Sequence, residues 1–346
     1  MMKKLLVSLI AIGLVLGLSS CSNEDQETTT YPETVKFGVL RVPNDETLAI
    51  TTGILTDNFA ELGINCEFIP FDSGSQANNA LVSNSIDFAT MGNTNAIVAL
   101  ATGIDVQLCW IHEVLGDVEA LVVRDGTDIQ TVADLAGKKI AVPFASTSHY
   151  ILLNVLKEAG IENDVTLLNM KTSEIIAAWE RGDVDAAYTW QPSLGQLLTS
   201  GSVLVSSADM LEKGYITANV DVVQNSFAEK YPDLVALYIS SLAEAADMYE
   251  NDHDNVVSLL ADELDLEDDE VEIVLNGSIW VSRDDLLTAD YFGTSEKSGN
   301  FAQVMKDTSD FLLEQNSITN SPDLEAFQQF VNPEYIELSL NQEIDN

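Results

Sequence analysis

From Val35 onward, short apolar runs alternate with loops rich in Gly, Ser, Asn and Thr, and each loop feeds a helical period. Val35–Val39, Cys66–Phe71, Ile86–Ala89 and Val106–Ile111 read as strands, with Thr47–Leu62, Gln76–Val82 and Ala96–Ala101 as the helices between them. Repetition of strand, loop and helix predicts a mostly parallel sheet with helices on both faces. Ligands of such sheets sit outside the carboxyl ends of the strands. The loops RVPND (41–45), DSGS (72–75) and GNTN (92–95) are therefore expected to share one rim.

EALVV (119–123) reads as a strand leading out of this unit, and a second α/β unit begins near Asp128. Its clearest segment runs from Lys138 to Gly160. An apolar strand, Ile140–Val142, passes through Ser146, Thr147 and Ser148 into a helix with Ile151, Leu152, Val155 and Leu156, stopped by Gly160. Helix starts carry unpartnered N–H groups and the positive end of the dipole, so this one suits an anion. Ser and Thr also cap helices that bind nothing, and both readings stand at this point. Val165–Asn169, Val184–Tyr188 and Val203–Ser206 continue the strands, Glu174–Arg181 is a helix, and Val220–Val223 leads back out. Beyond Ser226 the pattern turns helical, ending with Phe301–Gln315. Two units of this kind fit a chain of 346 residues.

Residues 1–20 stand outside this pattern. Lys3 and Lys4 precede an apolar run, Leu5–Leu18, too short to span a bilayer, and Leu-Ser-Ser leads into Cys21. This is a secretory signal, and its end resembles the bacterial lipoprotein signature, which implies cleavage before Cys21 and lipidation of its thiol. Residues 21–33 read as a flexible tether from that anchor. Loss of 1–20 removes two lysines and no acid, so the net charge moves from −41 to −43. Such a surface argues against nucleic acid and against charge-driven binding to an anionic bilayer. An anionic ligand needs local donors and dipoles, which salt screening over roughly 8–10 Å permits. Cys66 and Cys109 lie in apolar runs and read as buried free thiols without metal-ligand spacing.

Signals for catalysis are thin. His149 beside Ser146 and Ser148 invites a nucleophile–base pair, but there is no Gly-x-Ser-x-Gly elbow. His112 and His253 stand apart, which disfavours a histidine metal site. Neither Gly-x-Gly-x-x-Gly nor Gly-x-x-x-x-Gly-Lys-Ser/Thr occurs, so no phosphate-cradling cofactor loop is present. No enzyme, cofactor or metal is expected.

FDSGSQANNAL (71–81), SIDFATMGNTNA (85–96), EALVV, AVPFASTSHYILL (141–153), IIAAWERGDVDAAYTWQPSL (175–194) and FAEKYPDLV (227–235) together resemble the substrate-binding components of ABC importers for taurine and alkanesulfonates. Similarity is greatest to the taurine-binding branch, through VPFASTSHY and AAWERGDVDAAYTWQP. The resemblance implies an α/β, two-lobe periplasmic-binding-protein-like fold (type II) with mixed sheets flanked by helices. Residues 34–122 and 225–346 would form lobe one and residues 123–224 lobe two, with crossings near Val122–Arg124 and Val222–Asn225 and the ligand in the cleft. It further implies a monomer, lipid-anchored at the cell surface or periplasmic face, that delivers ligand to permease subunits driven by a cytoplasmic ATPase.

For taurine, the resemblance assigns the sulfonate to Ser73, Gly74 and Ser75, to Asn93 and Thr94, and to Ser146, Thr147 and Ser148. His149 either donates or packs. Trp190 either walls the two-carbon linker or packs in the core, with Gln191 beside it. Glu119 matches a family glutamate suited to the ammonium. The taurine branch places an aspartate where Asn219 stands, and here the aspartate comes two residues later, at Asp221. Either Asp221 takes that role or Asn219 makes a neutral contact, in which case the ligand is a sulfonate without an amine or a related small zwitterion. A receptor for a pyrimidine or aromatic compound is the further alternative on this fold.

Overall fold

The computed structural model describes residues 30–341. The signal segment, Cys21 and most of the tether lie outside the described residues. Strands β1 (Thr34–Leu40), β2 (Asn65–Phe71), β3 (Phe88–Gly92) and β4 (Val106–Leu115) appear in the expected order. Helices α1 (Asp45–Thr51), α2 (Ile54–Glu61), α3 (Gly74–Val82) and α4 (Asn93–Thr102) separate them. The single helix expected over 47–62 is two helices. Asn44 starts α1 by accepting the Thr47 N–H at 2.9 Å, and Gly53, left-handed at φ +83°, breaks it from α2.

Strands β5 (Glu119–Arg124), β6 (Lys139–Val142), β7 (Thr166–Asn169), β8 (Ala186–Trp190) and β9 (Gly201–Ser206) follow, with α5 (Thr147–Ala159) after β6. They form a five-stranded sheet in the order β7-β6-β8-β5-β9. Then β10 (Ala218–Gln224) and β11 (Ser278–Trp280) return to complete a six-stranded sheet, β11-β4-β10-β3-β1-β2. Both sheets are mixed. Strand β1 is parallel to β2 and β3, whereas β10 inserts antiparallel between β3 and β4. The mostly parallel first unit is thus corrected. The expected crossings fall inside β5 and β10; the chain leaves the first sheet at 116–118 and regains it between 207 and 217.

One expected loop turns out to be regular structure, and one strand runs further than expected. GNTN is the end of β3 and the first turn of α4, because β10 pairs with β3 out to Gly92. Thr189 and Trp190 likewise stay in β8, where Glu119 pairs with Trp190. Each sheet carries its own core. Phe37 on β1 packs within 5.6 Å, centroid to centroid, of Phe59, Phe88 and Tyr238. Trp179 packs beside Ile175, Val184 and Leu197 against the second sheet. Burial of such side chains contributes about 1.5–3 kcal/mol each and fixes the platforms from which the loops project.

Candidate functional site

A cavity of about 570 Å³ lies where loops of the two sheets meet. The six-stranded side contributes Arg41, Phe71, Ser73, Gly74, Ser75, Asn95, Glu113 and Asn219. The five-stranded side contributes Glu119, Pro143, Phe144, Ser146, Thr147, Trp190 and Gln191. RVPND, DSGS and GNTN thus reach one cavity, through Arg41 and Val42, Asp72–Ser75, and Gly92 and Asn95. Helices α3 and α5 both start at its wall, with Ser73 and Ser146 in extended N-cap conformation. Their first-turn N–H groups and hydroxyls suit an anion.

Of the expected site residues, Ser73, Gly74, Ser75, Glu119, Ser146, Thr147, Trp190, Gln191 and Asn219 line this cavity. Asn93, Thr94, Ser148, His149 and Asp221 do not, and for four of them the hydrogen bonds give the reason. Asn93 is turned toward the return crossing, where Nδ2 donates to the Ile216 carbonyl at 3.4 Å and Oδ1 accepts from the Ala218 N–H at 3.4 Å. Thr94 is buried, and its hydroxyl has no partner. Ser148 donates to Glu119 Oε2 at 2.8 Å. His149 packs: its ring stacks on Phe144 at 4.4 Å and its Nδ1 accepts from the Ala145 N–H at 3.4 Å. Burial lowers its pKa to about 4, so it is neutral.

Asp221 belongs to a polar cluster in the core of the six-stranded side. His112 lies between Asp45, bonded through Nδ1, and Asp221, 3.1 Å from Nε2. Thr90 donates within 2.9 Å of Asp221 and also faces Glu46; Trp110 donates to Asp45 at 2.8 Å; the Tyr238 hydroxyl joins Glu46 to Asp221. Burial opposes charge on His112, yet Asp45 and Asp221 outweigh it and hold its pKa well above the ordinary histidine value. Burial and the charge of Asp221 raise Glu46 to about 8.

The carboxylate that reaches the cavity beside Asn219 is Glu113, which the sequence reading missed. Asn219 Nδ2 donates to its Oε1 at 2.5 Å, and its Oε2 has no partner. Glu119 repeats the arrangement, with Oε2 held by Ser148 and Oε1 unpartnered. Burial raises Glu113 to about 8, against the pull of His112 and Asn219, and raises Glu119 to about 7, against the Thr147 and Ser148 hydroxyls. Buried polar atoms left without partners are costly, and both glutamates belong to the lining of this one cavity. Asn95, Arg41 and Lys171 also line the cavity and were not singled out from the sequence.

Two mixed sheets that share a cavity between their loops define a periplasmic-binding-protein architecture. The chain belongs to the NMT1/THI5-like family, whose model matches residues 49–255. The taurine-binding periplasmic protein of Escherichia coli (strain K12) is 33% identical over 265 residues, covering 75% of this chain and 80% of that one. Among solved structures, the periplasmic aliphatic sulphonate binding protein SsuA from Escherichia coli superposes with a TM-score of 0.71 at 23% identity, covering 86% of this chain and 92% of that one. The alkanesulfonate-binding protein SsuA from Xanthomonas axonopodis pv. citri, bound to MOPS, gives the same TM-score and identity, covering 85% and 96%. These relatives are binding proteins and not enzymes, and this chain is a binding protein of their kind.

Proposed function

We propose that the protein is the extracytoplasmic binding component of an ABC importer and takes taurine or a closely related aminosulfonate between its two sheets. The reading is carried by Glu113 and Glu119, two buried carboxyls in the lining of a cavity that also has two helix starts at its wall. The sulfonate lies at the starts of α3 and α5, on Ser73, Gly74, Ser75, Ser146 and Thr147. The ammonium lies on Glu113 and Glu119, with Asn219 orienting Glu113, and Trp190 borders the carbon linker. Ionising either glutamate without a partner costs several kcal/mol, and the ligand's ammonium offsets that cost. The similarity to the taurine-binding protein supports the same choice.

The two sheets act as two lobes that close on the ligand about the paired crossings at 116–118 and 207–217. Cys21 carries the lipid that keeps the monomer at the membrane face, where it meets the permease and its ATPase. Among the described residues no helix is long and apolar enough to cross a membrane. A second reading, an alkanesulfonate with a larger body, is favoured by cavity size and by the apolar walls Leu40, Phe71, Leu115 and Phe144; pockets of ~300–1,000 Å³ take drug-sized ligands. Calorimetric titration of the mature chain with taurine, ethanesulfonate, sulfate and glycine betaine separates these. Taurine is expected to bind tightest, ethanesulfonate more weakly and betaine not at all. Absence of heat with both sulfonates overturns the proposal.

A further inference from the structure

Asn95 occupies the first turn of α4 and is 5% exposed. Its side chain caps no helix. Nδ2 donates at 2.7 Å to the carbonyl of Ala145, which precedes α5 on the other sheet, and at 3.3 Å to Ser75 Oγ in the first turn of α3. Three helix starts from two sheets therefore meet on one amide.

Ala145 is left-handed, at φ +60°. An alanine resists that conformation because its Cβ crowds the following carbonyl, so something must hold it there. The turn's own sheet helps: Ser146 Oγ donates to the Pro143 carbonyl at 2.6 Å, and the Phe144 N–H donates to Asn169 at 3.0 Å. Neither bond engages Ala145. Its own N–H makes only a long bond, 3.4 Å, to His149. The short bond on Ala145 is the one that Asn95 supplies from across the cavity. The surroundings leave that amide little freedom. A Cβ on Gly74 would stand 2.6 Å from Asn95 Oδ1, and one on Gly92 would stand 2.8 Å from the Thr147 methyl.

We propose that Asn95 is a positioning residue: by holding Ala145 left-handed it aims the N–H groups and hydroxyls that open α5 into the cavity and ties them to the start of α3. This rests on the sulfonate reading for what the cavity binds, but not for the tie itself. The tie joins segments of different sheets, so it forms only with the sheets together. Ligand and Asn95 thereby favour the same arrangement of the two.

The test uses the mature chain with Asn95→Ala, Ala145→Gly and both together. Without ligand, hydrogen exchange of the amides from 145 to 149 is expected to quicken in Asn95→Ala. Affinity for taurine and for ethanesulfonate is expected to fall about five- to tenfold, the worth of one buried neutral hydrogen bond. In the Ala145→Gly background the same change is expected to cost about twofold or less, because glycine enters the left-handed region freely. A residue that merely touched ligand, or merely packed, would cost the same in both backgrounds. Equal losses, or unchanged exchange in Asn95→Ala, overturn the proposal. Asn95→Ser, which keeps a polar group but is too short to reach Ala145, serves if the alanine variant does not fold, with the same outcomes. Failure of the parent chain to bind any sulfonate would instead overturn the functional reading, and the exchange experiment would still decide the tie.

Discussion

Glu113 lines the cavity, with one oxygen held by Asn219 and the other buried without a partner. With its pKa raised to about 8, mainly by burial, it carries a proton at neutral pH until a cation arrives. Glu113→Gln keeps the shape and removes the charge. The variant is expected to lose about 10- to 100-fold in taurine affinity, the worth of a charge-assisted hydrogen bond, while ethanesulfonate changes less than about threefold, both read by calorimetry. Its stability follows from linkage. A carboxyl whose folded pKa lies above its unfolded value of 4.5 stabilises fully below that value and loses the contribution as pH rises through about 8. Ligand-free Glu113→Gln should therefore lose less stability than the parent between pH 5 and 9. Sequence could not single out Glu113, because every residue of β4 is buried and no alternation marks which side chains face the cavity. Asn219 and Asp221 misled for a related reason. Strand period puts residues two apart on one face. Asp221, one step further along β10, is taken up by the buried cluster with His112, Thr90 and Tyr238, and only Asn219 reaches the cavity.

The two strands that bear Glu113 and Asn219 are pinned to α1 by the buried cluster. Asp45 on α1, His112 on β4 and Asp221 on β10 form one ion-paired row, and the cavity residues Glu113 and Asn219 lie on the same two strands. Removing one member of a buried ionic group leaves the others unpaired, at about 3–5 kcal/mol. His112→Ala is expected to destabilise by that order in chemical denaturation, and more strongly at pH 6 than at pH 9. The sign follows from a folded pKa held above 6.5: the stabilisation is full below 6.5 and fades as pH rises through the folded value. An equal loss at both pH values contradicts a charged His112. The strand–loop–helix rhythm was legible because it is local: the strands and the helices around DSGS and VPFASTSHY fall close to where periodicity put them. The insertion of β10 between β3 and β4 was not, since it joins segments more than a hundred residues apart. Pairing with β10 also drew Gly92 of GNTN into β3, and pairing with β5 carried β8 past Tyr188 to Trp190.

At the scale of the molecule, a net charge of −41 opposes an anionic ligand, so binding depends on what the cavity does locally. Helix starts from both sheets offer dipoles and hydroxyls to a sulfonate, and Glu113 and Glu119 offer negative charge only after losing a proton. That coupling distinguishes a receptor for a zwitterion from one for a plain anion. The family and Glu119 could be read from long motifs, but Glu113 could not, because it is the pairing of β4 with β10 that brings it beside Asn219. The most direct measurement is calorimetric titration at pH 7 in two buffers of different ionisation enthalpy, with affinities repeated at pH 6 and 8. Taurine is expected to release protons on binding and to bind more tightly at pH 8 than at pH 6, because its ammonium lowers the pKa of the glutamates it meets. Ethanesulfonate is expected to weaken over the same range. Taurine binding with no proton release and no dependence on pH would contradict an ammonium held by Glu113 and Glu119.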